Sequence, residues 1–321
     1  MPSYYCLCIS LIALKGAMSS ALFENLVLHG SKQAIPAFIY GTAWKKDRSA
    51  DLVYQALCSG FKGVDTAAQP KHYREDLVGD GIRRALKEDK VSRDSLFIQT
   101  KFTSVSGHDP NNLPYDPRSS ISEQVHTSIT SSLRNLRPLA EESSAESTVL
   151  DCLVFHSPLP TMAQTLEAWK TAETYVPHKI KALGISNVTP IILERLYGAV
   201  TFKPSVVQNR FYPDTRFDLQ ARAFCLEKSI IYQSFWTLTT NPKVLNSKEV
   251  EALADQAGIS ASEAMYCLVL GLGNTTILNG TKTLEHMVGD LEAPRKVYEW
   301  ASKNPRSWDL CIRSFKSLIG E

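Results

Sequence analysis

Four absences narrow the reading of this 321-residue chain before any motif is considered. It has no block of basic residues: 35 basic and 33 acidic side chains are spread along it for a formal charge of +2, which excludes a nucleic-acid or acidic-membrane footprint. It has no apolar run of the roughly 20 residues that a membrane-spanning helix requires. It has no histidine or cysteine cluster that could complete a zinc site, since Cys6 and Cys8 form a lone pair at ligand spacing, so no metal is expected. Finally, it has no glycine-rich phosphate turn. Gly79-Asp80-Gly81 and Gly271-Leu272-Gly273 lack a third glycine and fall in or after helical patterns, where helix packing or capping explains them.

What the chain does have is a 44% hydrophobic composition, enough for one large core. Its seven cysteines are an odd number, and Cys58, Cys152, Cys225 and Cys267 fall inside helix-like or strand-like stretches. They read as reduced core residues of a cytoplasmic protein. Residues 4–14 are apolar enough to resemble a signal-peptide core, but no basic residue precedes them and Lys15 interrupts them. We therefore read residues 1–21 as an N-terminal extension and 22–321 as a single domain.

From Ala37 onward, strand-like runs alternate with helix-like ones, the pattern of βα units and a parallel sheet. The strands fall at 37–42, 63–66, 96–101, 151–156, 182–186, 205–209, 229–234 and 276–279. Apolar faces at helical spacing fill the gaps, as with Leu52, Val53, Ala56 and Leu57, or Ile121, Val125, Ile129 and Leu133. Eight strands with helices between them predict an α/β fold of the (β/α)8 TIM-barrel type. Two polar stretches break the spacing. Residues 103–120 follow the third strand and are expected at the mouth of the barrel, whereas 138–148 precede a strand and belong to the inert edge.

Three of these strands end on a titratable residue: Asp65, Lys101 and His156. Any one alone is as well explained by a surface ion pair or a helix cap. Three on successive barrel strands aim at one shared mouth. Tyr73, within Gln69-Pro70-Lys71-His72-Tyr73, adds a fourth proton-active group.

The run Gly63-Val64-Asp65-Thr66-Ala67 followed by Tyr73, Lys101 and His156 resembles the tetrad of the aldo-keto reductase family. Gly184-Ile185-Ser186-Asn187, Val206-Val207-Gln208-Asn209 and Tyr232-Gln233-Ser234 follow in family order, and Lys71-His72-Tyr73 is similar to a fungal-type subgroup. That resemblance implies reduction of an aldehyde or ketone, with Tyr73 as proton donor, Lys101 favouring its tyrosinate, Asp65 holding Lys101 and His156 orienting the carbonyl. Members that act in secondary metabolism make a specialised carbonyl compound the expected substrate. The chain departs from the family in one respect: Tyr73 lies eight positions after Asp65 where a gap of about five is usual, so its loop must bulge.

The same resemblance implies a nicotinamide cofactor. Gly41, Thr42 and Asp65 lie at its edge; Ser186, Asn187 and Gln208 face the carboxamide; Ser234, Phe235, Trp236 and Leu238 wrap the pyrophosphate; and Asn279, Gly280, Thr281, Lys282 and His286 hold the adenosine end. Gln233 occupies a position that often carries an aromatic ring stacked on the nicotinamide. NADPH is favoured by family habit, and NADH stays open because Lys282 and His286 are the only nearby cations in the sequence. Trp44, Tyr73, His156 and Phe211, with Tyr115, Trp236 and the tail after Arg295, are the expected substrate contacts. A monomer or weak homo-oligomer that takes a small carbonyl compound is the leading reading. A cofactor-binding regulatory barrel and a nucleotide-independent isomerase or lyase are the alternatives.

Overall fold

The computed structural model describes residues 26–28 and 34–321. The Cys6/Cys8 pair, the apolar stretch 4–14 and the extension 1–21 lie outside them. A short antiparallel hairpin comes first, β1 (Leu26–Val27) with β2 (Ala34–Ile35), paired Leu26 to Ile35 and Val27 to Ala34. Then come β3 (Phe38–Gly41), β4 (Gly63–Asp65), β5 (Phe97–Phe102), β6 (Cys152–Phe155), β7 (Leu183–Ser186), β8 (Val206–Arg210), β9 (Ile231–Phe235) and β10 (Thr275–Asn279). These eight pair in parallel and close on themselves, β10 lying between β9 and β3. Each matches an expected strand to within two residues or so at either end. The hairpin was not anticipated, because two-residue strands leave no periodic signal.

Between the strands run α1 (Ser49–Cys58), α2 (Glu75–Lys87), α3 (Ile121–Asn135), α4 (Met162–Glu173), α5 (Pro190–Ala199), α6 (Leu219–Glu227), α7 (Pro242–Leu245), α8 (Lys248–Ala257) and α9 (Ala261–Leu270), with α10 (Leu284–Lys303) and α11 (Pro305–Leu318) after β10. Their starts are written in the sequence. Ser120 with Glu123, Thr161 with Gln164 and Ser260 with Glu263 form reciprocal capping boxes, each cap worth about 1 kcal/mol. Gly79 and Gly81 serve packing, as expected: a Cβ at Gly79 would stand 1.9 Å from the Asn135 carbonyl oxygen, and one at Gly81 would stand 2.5 Å from that of Ala50. Glu75, buried at the start of α2, accepts hydrogen bonds from Thr100 on β5 and from Ser132 and Asn135 on α3, which ties three elements together. One cysteine departs from expectation: Cys58, at the last turn of α1, is exposed.

The period-two geometry of the strands sorts the barrel interior into layers. At the floor, Ile39, Phe97, Val154, Val206 and Ile231 pack with Leu28 and Ile35, so the hairpin closes the bottom. Two residues further along come Gln99 on β5, Gln208 on β8 and Gln233 on β9, all buried. Two more residues bring Lys101, Arg210 and Phe235 to the carboxyl-end mouth. Alternate outward residues such as Tyr40, Val64, Ile98 and Phe102 pack under the helices. Among the described residues, no helix is long and apolar enough to cross a membrane.

Candidate active site

The loop after β4 decides whether Tyr73 reaches the mouth, and its backbone carries it there. Ala68 donates its amide hydrogen to the Lys101 carbonyl at 3.1 Å, and the chain then curls so that His72 and Tyr73 both donate to the Gln69 carbonyl, at 3.2 and 3.0 Å. Trp44 donates to the His72 carbonyl at 2.8 Å, and the Gln69 amide reaches across to the Gly107 carbonyl at 2.7 Å. The three extra residues are thus absorbed in one tight turn. The Tyr73 ring ends 5.1 Å from Lys101 Nζ and edge-on to His156, with ring centroids 6.0 Å apart.

Beneath Tyr73, Lys101 is buried and donates to Asp65 Oδ2 at 2.5 Å and to the Thr66 carbonyl at 3.0 Å. The other oxygen of Asp65 accepts from the Gln99 amide at 2.6 Å and the Gln208 amide at 3.1 Å. Gln99 and Gln233 exchange two amide hydrogen bonds, at 2.9 and 3.0 Å, and Gln208 also donates to Gln233 at 2.9 Å. Every group around the Asp65 carboxylate is a donor. Burial alone would lower the Lys101 pKa, but the Asp65 carboxylate and Tyr73 outweigh it and raise it, so Lys101 stays an ammonium.

Tyr73 departs from expectation in this respect. Burial of its hydroxyl raises its pKa above the ordinary tyrosine value, and the opposing pull of Lys101 does not reverse this. The phenol therefore stays protonated throughout the neutral range, the form a proton donor needs. His156 is pushed down to about 3, first by burial and then by repulsion from Lys101, His108, His72 and Arg210, so its imidazole is neutral. Its Nδ1 lies 2.7 Å from the Thr103 hydroxyl. The carbonyl of Thr103 accepts from Tyr115 at 2.6 Å and from His108 Nε2 at 3.0 Å. We assign the Thr103 hydroxyl as donor to Nδ1, which puts the proton of the neutral imidazole on Nε2, the nitrogen left for a substrate.

Above these groups opens a cavity of about 790 Å³ that runs from Asp65, Tyr73 and His156 past Ser186, Asn187 and Gln208 to Gly280, Thr281 and His286. Gly41, Trp44, Phe235, Trp236 and Leu238 also line it. Other expected site residues lie elsewhere. Gln233 is sealed in the amide layer below, and Ser234 is buried, its hydroxyl 2.6 Å from that of Thr237. Thr42 is buried with its hydroxyl on the Asp65 carbonyl at 2.8 Å, and Asn279 donates to Asp290 at 2.7 Å. Lys282 is exposed and outside the lining. Phe211 is core, not substrate wall: it is fully buried against Phe217. Tyr115 is likewise buried, and neither the 103–120 loop nor the tail after Arg295 lines the cavity, because the loop folds back onto Thr103 and the tail forms helices.

Sequence reading missed two cations. Lys45 is buried behind the adenosine end, with its ammonium donating to the Gly280 and Thr281 carbonyls; burial first, then repulsion from Lys282 and Arg48, lowers its pKa to about 8. Arg210 stands at the mouth on β8, where the alternation Val206, Gln208, Arg210 would have pointed it inward. Carboxylates of Glu263, Glu285 and Asp290 line the adenosine end as well. An elongated cavity with a hydroxyl and amides at the reacting end fits the nicotinamide part of a dinucleotide, whereas the far end offers His286 and three carboxylates, with Lys45 and Lys282 near it but outside the lining. Among the described residues, no group of acidic, histidine and cysteine side chains could hold a metal ion.

Comparison with known proteins agrees with this geometry. A sequence model described as the aldo/keto reductase family matches residues 37–307. An uncharacterised oxidoreductase of Schizosaccharomyces pombe is 28% identical over 243 residues, which cover 75% of this chain and 76% of that protein. An NAD/NADP-dependent indole-3-acetaldehyde reductase of the same yeast is 30% identical over 222 residues, 65% of this chain and 67% of that one. The crystal structure of a Bombyx mori aldo-keto reductase in complex with NADP superposes with a TM-score of 0.64 at 17% identity, over 85% of this chain and 91% of the other, which shows the same fold.

Proposed function

Because the chain belongs to the aldo/keto reductase family, we propose that it reduces an aldehyde or ketone to the alcohol with a nicotinamide dinucleotide, Tyr73 delivering the proton. The observation that supports this most is the approach of the Tyr73 ring to 5.1 Å from the Lys101 ammonium, beside a neutral His156 at the floor of the long cavity. A reduced nicotinamide, when bound, supplies the hydride. His156 donates its Nε2 hydrogen to the carbonyl oxygen and sets its direction. Tyr73 then protonates that oxygen, and the Lys101 ammonium, held by Asp65, stabilises the tyrosinate left behind.

Ser186, Asn187 and Gln208 are the residues that would hold the carboxamide, with Thr281 and His286 at the adenosine end. We propose NADPH as the preferred cofactor on the family resemblance, with NADH also accepted because Glu263, Glu285 and Asp290 line that end whereas Lys45 and Lys282 stand outside the lining. The Lys71-His72-Tyr73 unit and the matches to yeast proteins support our reading of a fungal-type member, and a specialised carbonyl compound of secondary metabolism is the substrate we propose.

Tyr73→Phe tests the assignment. Turnover with an aldehyde panel should fall by about 10²–10⁴-fold, with cofactor affinity within about twofold of the parent. Unchanged turnover would overturn it. A second reading, a regulatory barrel that binds cofactor with little turnover, draws on Gln233, which replaces the expected aromatic platform with a buried amide. Nucleotide binding without oxidation by any carbonyl in the panel would establish that reading instead.

A further inference from the structure

The charges at the reacting end do not cancel. Lys101 is neutralised by Asp65 and the His156 imidazole is neutral, which leaves Arg210. No described carboxylate forms an ion pair with it, although most other buried or half-buried cations of the barrel have a carboxylate or carbonyl partner. Its guanidinium donates one hydrogen bond, from Nη1 to Asn187 Oδ1 at 2.8 Å, and lies 4.7 Å from the Trp236 ring centroid and 5.5 Å from that of Phe235. The aromatic pair and the amide hold the fork still and leave its remaining N–H donors without a protein acceptor.

Its location defines what it can meet. Arg210 and Asn187 both line the main cavity and a second cavity of about 450 Å³, formed by residues from 187–190, 209–212 and 215–220. Arg210 therefore stands where the reacting chamber opens into a polar annex that also carries Arg216, Tyr212, Thr189 and Gln220, together with Asp218, whose carboxylate accepts from Asn209 at 2.7 Å. A planar, fixed, unpaired guanidinium at such a junction matches a carboxylate in bidentate geometry.

We propose that Arg210 is the specificity-determining residue for a carbonyl substrate that carries a carboxylate, bound at the junction of the two cavities. The proposal rests on the carbonyl-reductase reading for its chemistry. It commits to the substrate's anion and not to a cofactor phosphate.

The test is a matched pair, 4-carboxybenzaldehyde and its methyl ester, assayed with the parent, Arg210→Gln and Arg210→Lys. The parent should favour the acid in kcat/KM by about tenfold or more, and Arg210→Gln should lose about 30–100-fold on the acid but less than about threefold on the ester. Arg210→Lys should recover part of the loss as a point charge, and any change in the cofactor KM, passed on through the bond to Asn187, should be the same with acid and ester. Equal losses on acid and ester would overturn the proposal, and are the outcome expected if Arg210 holds a cofactor phosphate. Calorimetric titration with terephthalate, which has no aldehyde, separates this proposal from the reaction itself. Binding by the parent that Arg210→Gln abolishes supports the anion site even if neither aldehyde is reduced, and no binding by the parent overturns it.

Discussion

Replacing Asp65 by Asn exchanges one carboxylate oxygen for an NH2 at the centre of the buried network, and the outcome follows from what surrounds it. Lys101 Nζ, Gln99 Nε2 and Gln208 Nε2 all point hydrogens at the carboxylate, at 2.5, 2.6 and 3.1 Å. An asparagine offers one acceptor oxygen and must turn an NH2 toward one of these donors. Gln99 cannot flip to relieve the clash without breaking its reciprocal pair with Gln233. Lys101, 1% exposed, would keep only the Thr66 carbonyl. Breaking a buried pair from one side costs roughly 3–5 kcal/mol, and we expect Asp65→Asn to lose that much unfolding free energy in urea. Lys101→Met leaves the carboxylate with two amide donors and should cost less, about 1–3 kcal/mol. The double variant removes the orphaned ammonium, so its loss should fall short of the sum by about 2 kcal/mol or more. Coupling below about 0.5 kcal/mol would refute the view that Asp65 and Lys101 are one electrostatic unit.

Two further predictions concern groups on either side of that unit. Thr103→Val keeps the shape of the side chain but removes the donor to His156 Nδ1; kcat should fall about 3–10-fold while Thr103→Ser stays near the parent, and a Val variant at full rate would dismiss the tautomer assignment. Asp290 is raised to about 6 by burial, which its bond from Asn279 only partly offsets. The native state thus holds a proton that the unfolded state has released, and stability from this carboxyl declines as pH rises from about 4 through 6. In urea unfolding series, Asp290→Asn should therefore gain on the parent by up to about 3 kcal/mol between pH 4 and pH 7, and a pH-independent gap would contradict the assignment.

Much of this fold was legible because the barrel strands are apolar on both faces and end on polar residues, a local pattern. Asp65, Lys101 and His156 were legible for the same reason, each standing where a strand stops, whereas Tyr73 on its loop was legible only through the family resemblance. Interior layering was not. Gln99 and Gln233 sit mid-strand, and only their partnership across strands 134 residues apart in sequence reveals an amide pair. Phe211 shows the opposite error: an aromatic next to site residues was expected in the pocket, but the outward phase of β8 sends it into the helical shell. The 103–120 loop looked like a substrate mouth by composition, yet His108 and Tyr115 fold it onto the Thr103 carbonyl. Lys45 lay outside any motif, and its role depends on a contact 235 residues away.

The turn that carries Tyr73 has an evolutionary corollary. Its register is held by main-chain hydrogen bonds from Ala68, His72 and Tyr73 and by the His72 carbonyl, not by the identities of residues 70 and 71. Substitutions along that stretch leave the phenol's address intact, whereas removing or adding a single residue would rotate the aromatic away from Lys101. In lineages that share this eight-residue spacing, neutral drift in spelling with a kept residue count is the signature to look for.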